Sequence, residues 1–205
     1  MQPASSTIAL ILGATMALPL VVAGCAQVGL PVGSPLSTPI APSEVEWARK
    51  SGANTVSGNA ALKAPGPAGG ASHTCAGQSA NLIPDTAYAR ARMTAIFGND
   101  SRGTRAASLG PVKFERDDPL YVSTLRTTRC DTSGSFAFAR VPDGVWYVTT
   151  SVKWQAPVQV AGTPVAGAQA AGTPVGASAG GQIEGGSMMR RVEVRGGRLV
   201  KVTLP

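Results

Sequence analysis

Alternation of apolar and polar positions with period two, broken by turn residues, dominates the chain after residue 52 and predicts strands. In TVSGNAALK, which begins at Thr55, it places Val56, Ala60 and Leu62 on one face. Cys75 to Pro84 reads as a second strand with Ala80 and Leu82 inward. Leu120 to Cys130 reads as another, followed by turn chemistry at Asp131–Gly134 and by SFAFAR, with Phe136 and Phe138 on one face. A three-residue loop ending in a left-handed Gly134 would set Cys130 opposite Phe136 and Thr128 opposite Phe138. After a turn at Val141-Pro-Asp-Gly144, VWYVTTSVKW aligns Trp146, Val148, Val152 and Trp154 as a core strand. The terminal MRRVEVRGGRLVKVTL reads as a hairpin around Gly196-Gly197. With a glycine bulge, Val194 meets Val200, Val192 meets Val202, and Glu193 meets Lys201. Only from Thr86 to Phe97 does the period become helical, through Tyr88, Ala91 and Ala95, with Asp85 to cap the start and Gly98 to stop it. The stretch from there to Pro119 reads as a polar excursion.

A different pattern opens the chain. Thr7 to Gly24, TIALILGATMALPLVVAG, is apolar and uncharged, and ends in small residues before Cys25. An apolar helix-forming segment followed by small side chains is what export and signal cleavage require. The Val22-Ala-Gly-Cys25 tetrad resembles the bacterial lipobox, whose cysteine is lipidated and becomes the first residue after cleavage. The usual Lys or Arg of the leading region is absent from MQPASS. An uncleaved membrane helix is the competing reading, since about 18 apolar residues approach the minimum for spanning, but Pro19 and the lipobox argue against it. Residues 1–24 are therefore read as a lipoprotein signal peptide.

Gly and Pro, 25 and 16 of 205 residues, cluster outside the alternating segments. Residues 25–51 are expected to be a flexible tether running from the lipidated cysteine. Residues 52–205 are expected to form one domain, with a low-complexity loop at 155–187. Inside that loop Ala161-Gly-Thr-Pro-Val is echoed by Ala171-Gly-Thr-Pro-Val, a unit too short and too poor in large side chains for a solenoid.

Several motifs now fall in a recognisable order: Val56-Ser-Gly58, Leu82-Ile-Pro84, Asp131-x-x-Gly134-x-Phe136-x-Phe138, Val141-Pro-x-Gly144, and then an aromatic strand. Over roughly residues 52–154 this resembles the carboxypeptidase regulatory-like domain. The resemblance implies a mainly β fold, a prealbumin-like (transthyretin-like) β-sandwich of about seven strands with one short helix. In carboxypeptidases the catalytic residues belong to a separate domain, which this sequence lacks.

The three cysteines divide naturally. Cys25 is committed to lipid, which leaves Cys75 and Cys130 as a pair at predicted strand ends, in an oxidising compartment if export holds. A structural disulfide is expected, worth about 4 kcal/mol for the loop it closes in the chain-entropy model. No Cys-x-x-Cys supports redox chemistry.

The net charge of +7 lies outside the signal, with Arg190, Arg191, Arg195, Arg198 and Lys201 concentrated near the end. Outward-facing strand positions account for it; the functional alternative is a face for acidic envelope polymers or lipid headgroups. Nucleic acid is not expected as a partner of an exported chain. Catalytic equipment is sparse. His73 is the one histidine and sits in a Gly/Ala/Ser-rich loop, Asp117 and Asp118 are adjacent and would point apart, and no metal or cofactor motif is present.

The expectation is therefore a non-catalytic lipoprotein of the bacterial cell envelope, at the outer membrane facing the periplasm. It would be attached through lipid on Cys25 and present a sandwich to an envelope protein or polymer. The alternative is a carrier or sensor of a small ligand in an apolar cleft of the sandwich.

Overall fold

The computed structural model describes residues 35–65, 70–156 and 181–204. The apolar leader, Cys25 and the repeats at 161–178 lie outside them. The described residues form α1 (Pro42–Arg49), β1 (Asn54–Asn59), β2 (Ala61–Lys63), β3 (Ser72–Thr74), β4 (Ser79–Pro84), α2 (Ala87–Phe97), β5 (Arg102–Ala106), α3 (Pro119–Thr124), β6 (Arg126–Arg129), β7 (Ser135–Val141), β8 (Gly144–Gln155), β9 (Ile183–Val194) and β10 (Leu199–Thr203). A short 3-10 turn at Ala107–Leu109 follows β5.

Two sheets face each other, and the expected β-sandwich is present. One has the order β10-β1-β7, with β1 parallel to β10 and antiparallel to β7. The other is antiparallel throughout, in the order β5-β9-β8-β4-β6. β2 and β3 form a separate ribbon. Between the sheets, Val56, Phe136, Phe138, Val141 and Val202 pack with Leu82, Trp146, Val148, Val152 and Met188, as alternation requires.

A second apolar layer lies on the outer face of the five-stranded sheet. There Ile83, Tyr147 and Met189 are covered by Tyr88, Ala89 and Met93 of α2, with Tyr121, Val45 and Ile40. Trp146, Tyr147 and Val148 are consequently all buried, because this stretch of the sheet is covered on both sides. The helix expected at 86–97 is present but turned. Thr86, not Asp85, caps it by accepting from the Ala89 amide at 3.0 Å, and Ala95 is exposed. Gly98 ends it in the left-handed conformation, φ 71°. Asp85 instead accepts from Arg90 and Arg191.

Several expectations are corrected. Leu120 to Cys130 is not one strand: Asp118 accepts from the Leu120 and Tyr121 amides, Pro119 occupies the first turn, and α3 forms before β6. β6 does not pair with β7, so Cys130 is not opposite Phe136; β6 joins β4, and the Asp131–Gly134 turn carries the chain to the other sheet. The terminal hairpin is also absent. β9 pairs with β8 and β5, whereas β10 joins β1, so Val194 and Val200 belong to different sheets. The "excursion" contains an edge strand, β5. Residues 42–49, expected to be tether, form α1; β8 ends at Gln155, the first residue of the expected loop, and β9 begins inside it at Ile183.

Two hydrogen-bonded hubs explain these departures. Asn54, 1% exposed, donates through Nδ2 to Val141 O (2.9 Å) and Asp143 Oδ1 (2.8 Å), and accepts through Oδ1 from the Arg198 amide (2.9 Å). Asp143 Oδ1 also accepts from the Gly196 amide at 3.2 Å. The Gly196-Gly197 turn is thus drawn to β1 instead of folding back on β9. At the same end of the sandwich Arg126 donates to Ala48 O (2.8 Å), Lys50 O (2.9 Å) and Arg140 O (3.0 Å), tying down the C-terminus of α1. Trp47 meets Trp146 edge-on at 5.0 Å. Gly144 is required beneath it: its φ is +152°, and a Cβ there would lie 2.2 Å from the Trp47 ring.

Candidate functional site

Strand register decides which polar side chains meet. On the outer face of the five-stranded sheet α2 covers only part of the surface. Beyond it, Thr149 of β8 sits between Met189 of β9 and Asn81 of β4, and Asn81 is opposite Thr127 of β6. One step further, Ser151 lies opposite Ser187, which is opposite Arg105, and Ser79 is opposite Arg129. From these rows Ser79, Asn81, Thr149, Ser151 and Ser187 floor a groove of about 380 Å³. Its wall is apolar, built from Met93, Ile96 and Phe97 of α2 with Tyr121 and Leu125.

Among the described residues, part of the floor's hydrogen-bonding capacity is left over. Thr127 donates to Asn81 Oδ1 at 3.0 Å, which leaves the Asn81 amide hydrogens to donate outward. Ser151 makes a long 3.5 Å bond to Gln78 Oε1, leaving the Gln78 amide nitrogen free to donate in the same way. Arg92, by contrast, is held in place. It pairs with Asp117, lies 3.9 Å from the centre of the Phe114 ring and 4.9 Å from that of Tyr121, and so braces the wall. Burial pushes the Tyr121 hydroxyl up to about 12, the nearby Arg92 opposing the rise. Among the described residues no carboxylate, histidine or cysteine lines the groove. The residues that line it offer apolar contact and hydrogen bonding.

A second concavity, of about 640 Å³, is a shallow trough that includes Ser57, Asn59 and Ala137 of the three-stranded sheet, with Lys201 and Arg129 among its lining residues. Asp131 also lines it, but its carboxylate closes the following turn, accepting from the Ser133 hydroxyl (2.7 Å) and the Ser135 amide (2.9 Å).

The residues singled out from sequence fall as follows. Cys75 and Cys130 form the expected disulfide, with Cα atoms 5.8 Å apart; both are buried, and the Cys130 amide donates to Gln78 O at 2.9 Å beside the groove. Cys25 lies outside the described residues. His73 stacks face to face on Trp154, 4.3 Å between centroids and 6° between planes, while Trp154 Nε1 donates to Glu184 at 3.0 Å. Asp117 and Asp118 serve different structures, the first the Arg92 pair and the second the cap of α3 and the Ile40 amide. Among the described residues no three of His, Cys, Asp and Glu cluster as metal ligands. The groove itself was not anticipated. Its Ser and Thr residues look like ordinary solvent-facing strand positions until pairing puts them side by side.

No protein-family model matches the chain, and no curated protein matches it in sequence. Among solved structures, the chain is similar to a candidate carbohydrate-binding protein of Pseudomonas aeruginosa, with 23% identity and a TM-score of 0.57. The likeness covers 80% of this chain and 96% of the other, and at that identity it is a likeness of fold.

Proposed function

We propose that the chain is a non-catalytic binding module of the bacterial cell envelope, exported by residues 1–24, anchored by lipid on Cys25, and engaging an envelope carbohydrate polymer through the groove beside α2. The observation that carries this reading is the groove's two-sided chemistry. A sugar ring has a face of C–H bonds and a rim of hydroxyls; Ile96 and Phe97 offer apolar contact to the one, and Asn81, Gln78 and the serine rows offer donors and acceptors to the other. The groove is open to solvent, which suits a polymer passing across the sheet better than the enclosed apolar cleft that a small-ligand carrier would use. The fold shared with a candidate carbohydrate-binding protein supports the same ligand class.

Two further motif observations support the carboxypeptidase regulatory-like variety of sandwich. Asp131 caps its turn, and Phe136 and Phe138 enter the core in the positions that family's pattern implies. Anchoring rests on the Val22-Ala-Gly-Cys25 tetrad, and the outer membrane facing the periplasm is the site proposed for it.

Retention of the purified protein on immobilised envelope polysaccharides tests the binding claim. Wild type should be retained and an Asn81→Ala, Ser151→Ala variant should not; equal retention of both would overturn the assignment to the groove. Metabolic labelling with a fatty-acid analogue tests the anchor, with label expected on wild type and lost in Cys25→Ser. Unlabelled wild type would remove it.

A further inference from the structure

The three-stranded sheet is narrower than the sheet it covers, and β5 overhangs it. Residues of β5 that share the core-facing side, Arg102, Thr104 and Ala106, are exposed, whereas their neighbour Met188 on β9 is buried. On this ledge Arg102 lies directly opposite Arg190. The adjacent pair, Ser101 and Arg191, is the hydrogen-bonded one, with the Arg191 amide donating to Ser101 O at 2.7 Å. Arg102 and Arg190 therefore occupy the non-hydrogen-bonded site, where opposing side chains approach more closely. Like charges at such a site oppose folding.

Among the described residues no carboxylate compensates them. Among the described residues neither guanidinium forms an ion pair. Asp85 is engaged by Arg90 and Arg191, and Glu193 by Arg195. The charge of Asp100 acts on Arg191 and Tyr147, which belong to the opposite face. From the facing sheet, β10 contributes Lys201 as its charged residue, together with the Thr203 carbonyl, which accepts from Arg190 Nη1 at 3.1 Å. That bond fixes one edge of the Arg190 fork. Arg102 is positioned through its backbone, its amide donating to Asn99 Oδ1 at 3.2 Å, an acceptor shared with the Ser101 amide at 2.7 Å.

We propose that Arg102 and Arg190 together form an anion site that takes a phosphate monoester group. Two adjacent planar forks can each present paired N–H donors to a tetrahedral anion that carries three strong acceptor oxygens and close to two negative charges, and its binding removes the repulsion between them. A carboxylate brings one negative charge and two oxygens in a single plane, and so balances two guanidinium charges less completely than a tetrahedral dianion. The site lies on the side of the five-stranded sheet away from the groove, and its failure would leave the groove reading untouched.

Thermal unfolding of the whole protein in sodium phosphate, against sodium chloride of matched ionic strength, tests it. Phosphate strengthens burial in any protein, so the readout is the difference between wild type and variants. Arg102→Gln and Arg190→Gln should each lose the phosphate-specific part of the Tm rise, with affinity weakened about tenfold or more. Arg102→Glu should raise Tm in chloride, because it can pair with Arg190, and should respond to phosphate no more than the general effect. A phosphate response of the same size in wild type and Arg102→Glu would overturn the proposal, as would a lower Tm in chloride for both glutamine variants. Flotation with vesicles containing phosphatidic acid and retention on phosphorylated mannan then separate a lipid headgroup from a polymer as the source. Loss of either interaction in Arg102→Glu supports the site and names its source. Retention of both interactions by that variant counts against it.

Discussion

Asn54 offers the sharpest test of how this sequence selects a sandwich crossover over a local hairpin. Its side chain makes three hydrogen bonds of 2.8 to 2.9 Å, to the last residue of β7, to the turn that follows and to the residue that leads into β10. Asn54→Ala removes all three and strands the Arg198 N–H and Val141 carbonyl at a site where the side chain was 1% exposed. At about 1 kcal/mol per bond, and more for a buried group left unpaired, the loss is about 3 kcal/mol. Asn54→Asp keeps the size and the acceptor toward Arg198 but turns both donors into an anionic oxygen facing Val141 O and the Asp143 carboxylate. It should cost at least as much at neutral pH. Burial and the Asp143 charge would raise the new carboxyl's pKa, so its penalty develops as pH rises through the unfolded value of about 3.9 and shrinks on acidification. Urea unfolding followed by tryptophan fluorescence reads the effect, with Asn81→Ala in the open groove as a control expected to stay within about 0.5 kcal/mol of wild type. If Asn54→Ala also stayed within about 0.5 kcal/mol of wild type, the hub would not be what holds β10 to β1.

Three further outcomes follow from particular contacts. Cys75 and Cys130 are 55 residues apart in sequence, so replacing both by Ser should cost up to about 4 kcal/mol, and reductant should lower the Tm of wild type but not of the double variant. The Tyr147 hydroxyl is buried with no partner among the described residues, so Tyr147→Phe should leave stability unchanged or raise it, by as much as about 1 kcal/mol; a loss of that size would contradict the assignment. The Ser133 hydroxyl and the Ser135 amide hold Asp131's carboxyl below the usual range; its stabilising effect is full above the unfolded pKa and is lost as pH falls through the folded value. An NMR titration should find this carboxyl depressed in wild type and shifted upward in Ser133→Ala.

Much of the core was legible because alternation is a local property. Val56, Leu82, Phe136, Phe138, Trp146, Val148 and Val152 are all buried as their spacing requires, and the even cysteine pair is joined. Pairing partners were less legible. MRRVEVRGGRLVKVTL satisfies a hairpin and a crossover equally well, and the choice between them is made by Asn54, 144 residues from Arg198. For α3 the signal was present, Asp118 followed by Pro119, but Leu120-Tyr-Val-Ser-Thr has the β-branched and aromatic character of a strand. The face of α2 was misread because alanines at helical spacing carry little weight beside Tyr88 and Met93, which do the packing. The groove and the Arg102–Arg190 pair both depend on register between segments far apart in sequence, and no single stretch contains either.

The central claim is that the groove beside α2 binds carbohydrate. Amide chemical-shift mapping with oligosaccharides released from bacterial envelope polymers tests it most directly. Saturable shifts centred on Asn81, Ser151, Ser187 and Phe97, and lost in the Asn81→Ala, Ser151→Ala variant, are the predicted result; saturable shifts centred on the three-stranded sheet, or none at millimolar oligosaccharide, would contradict it.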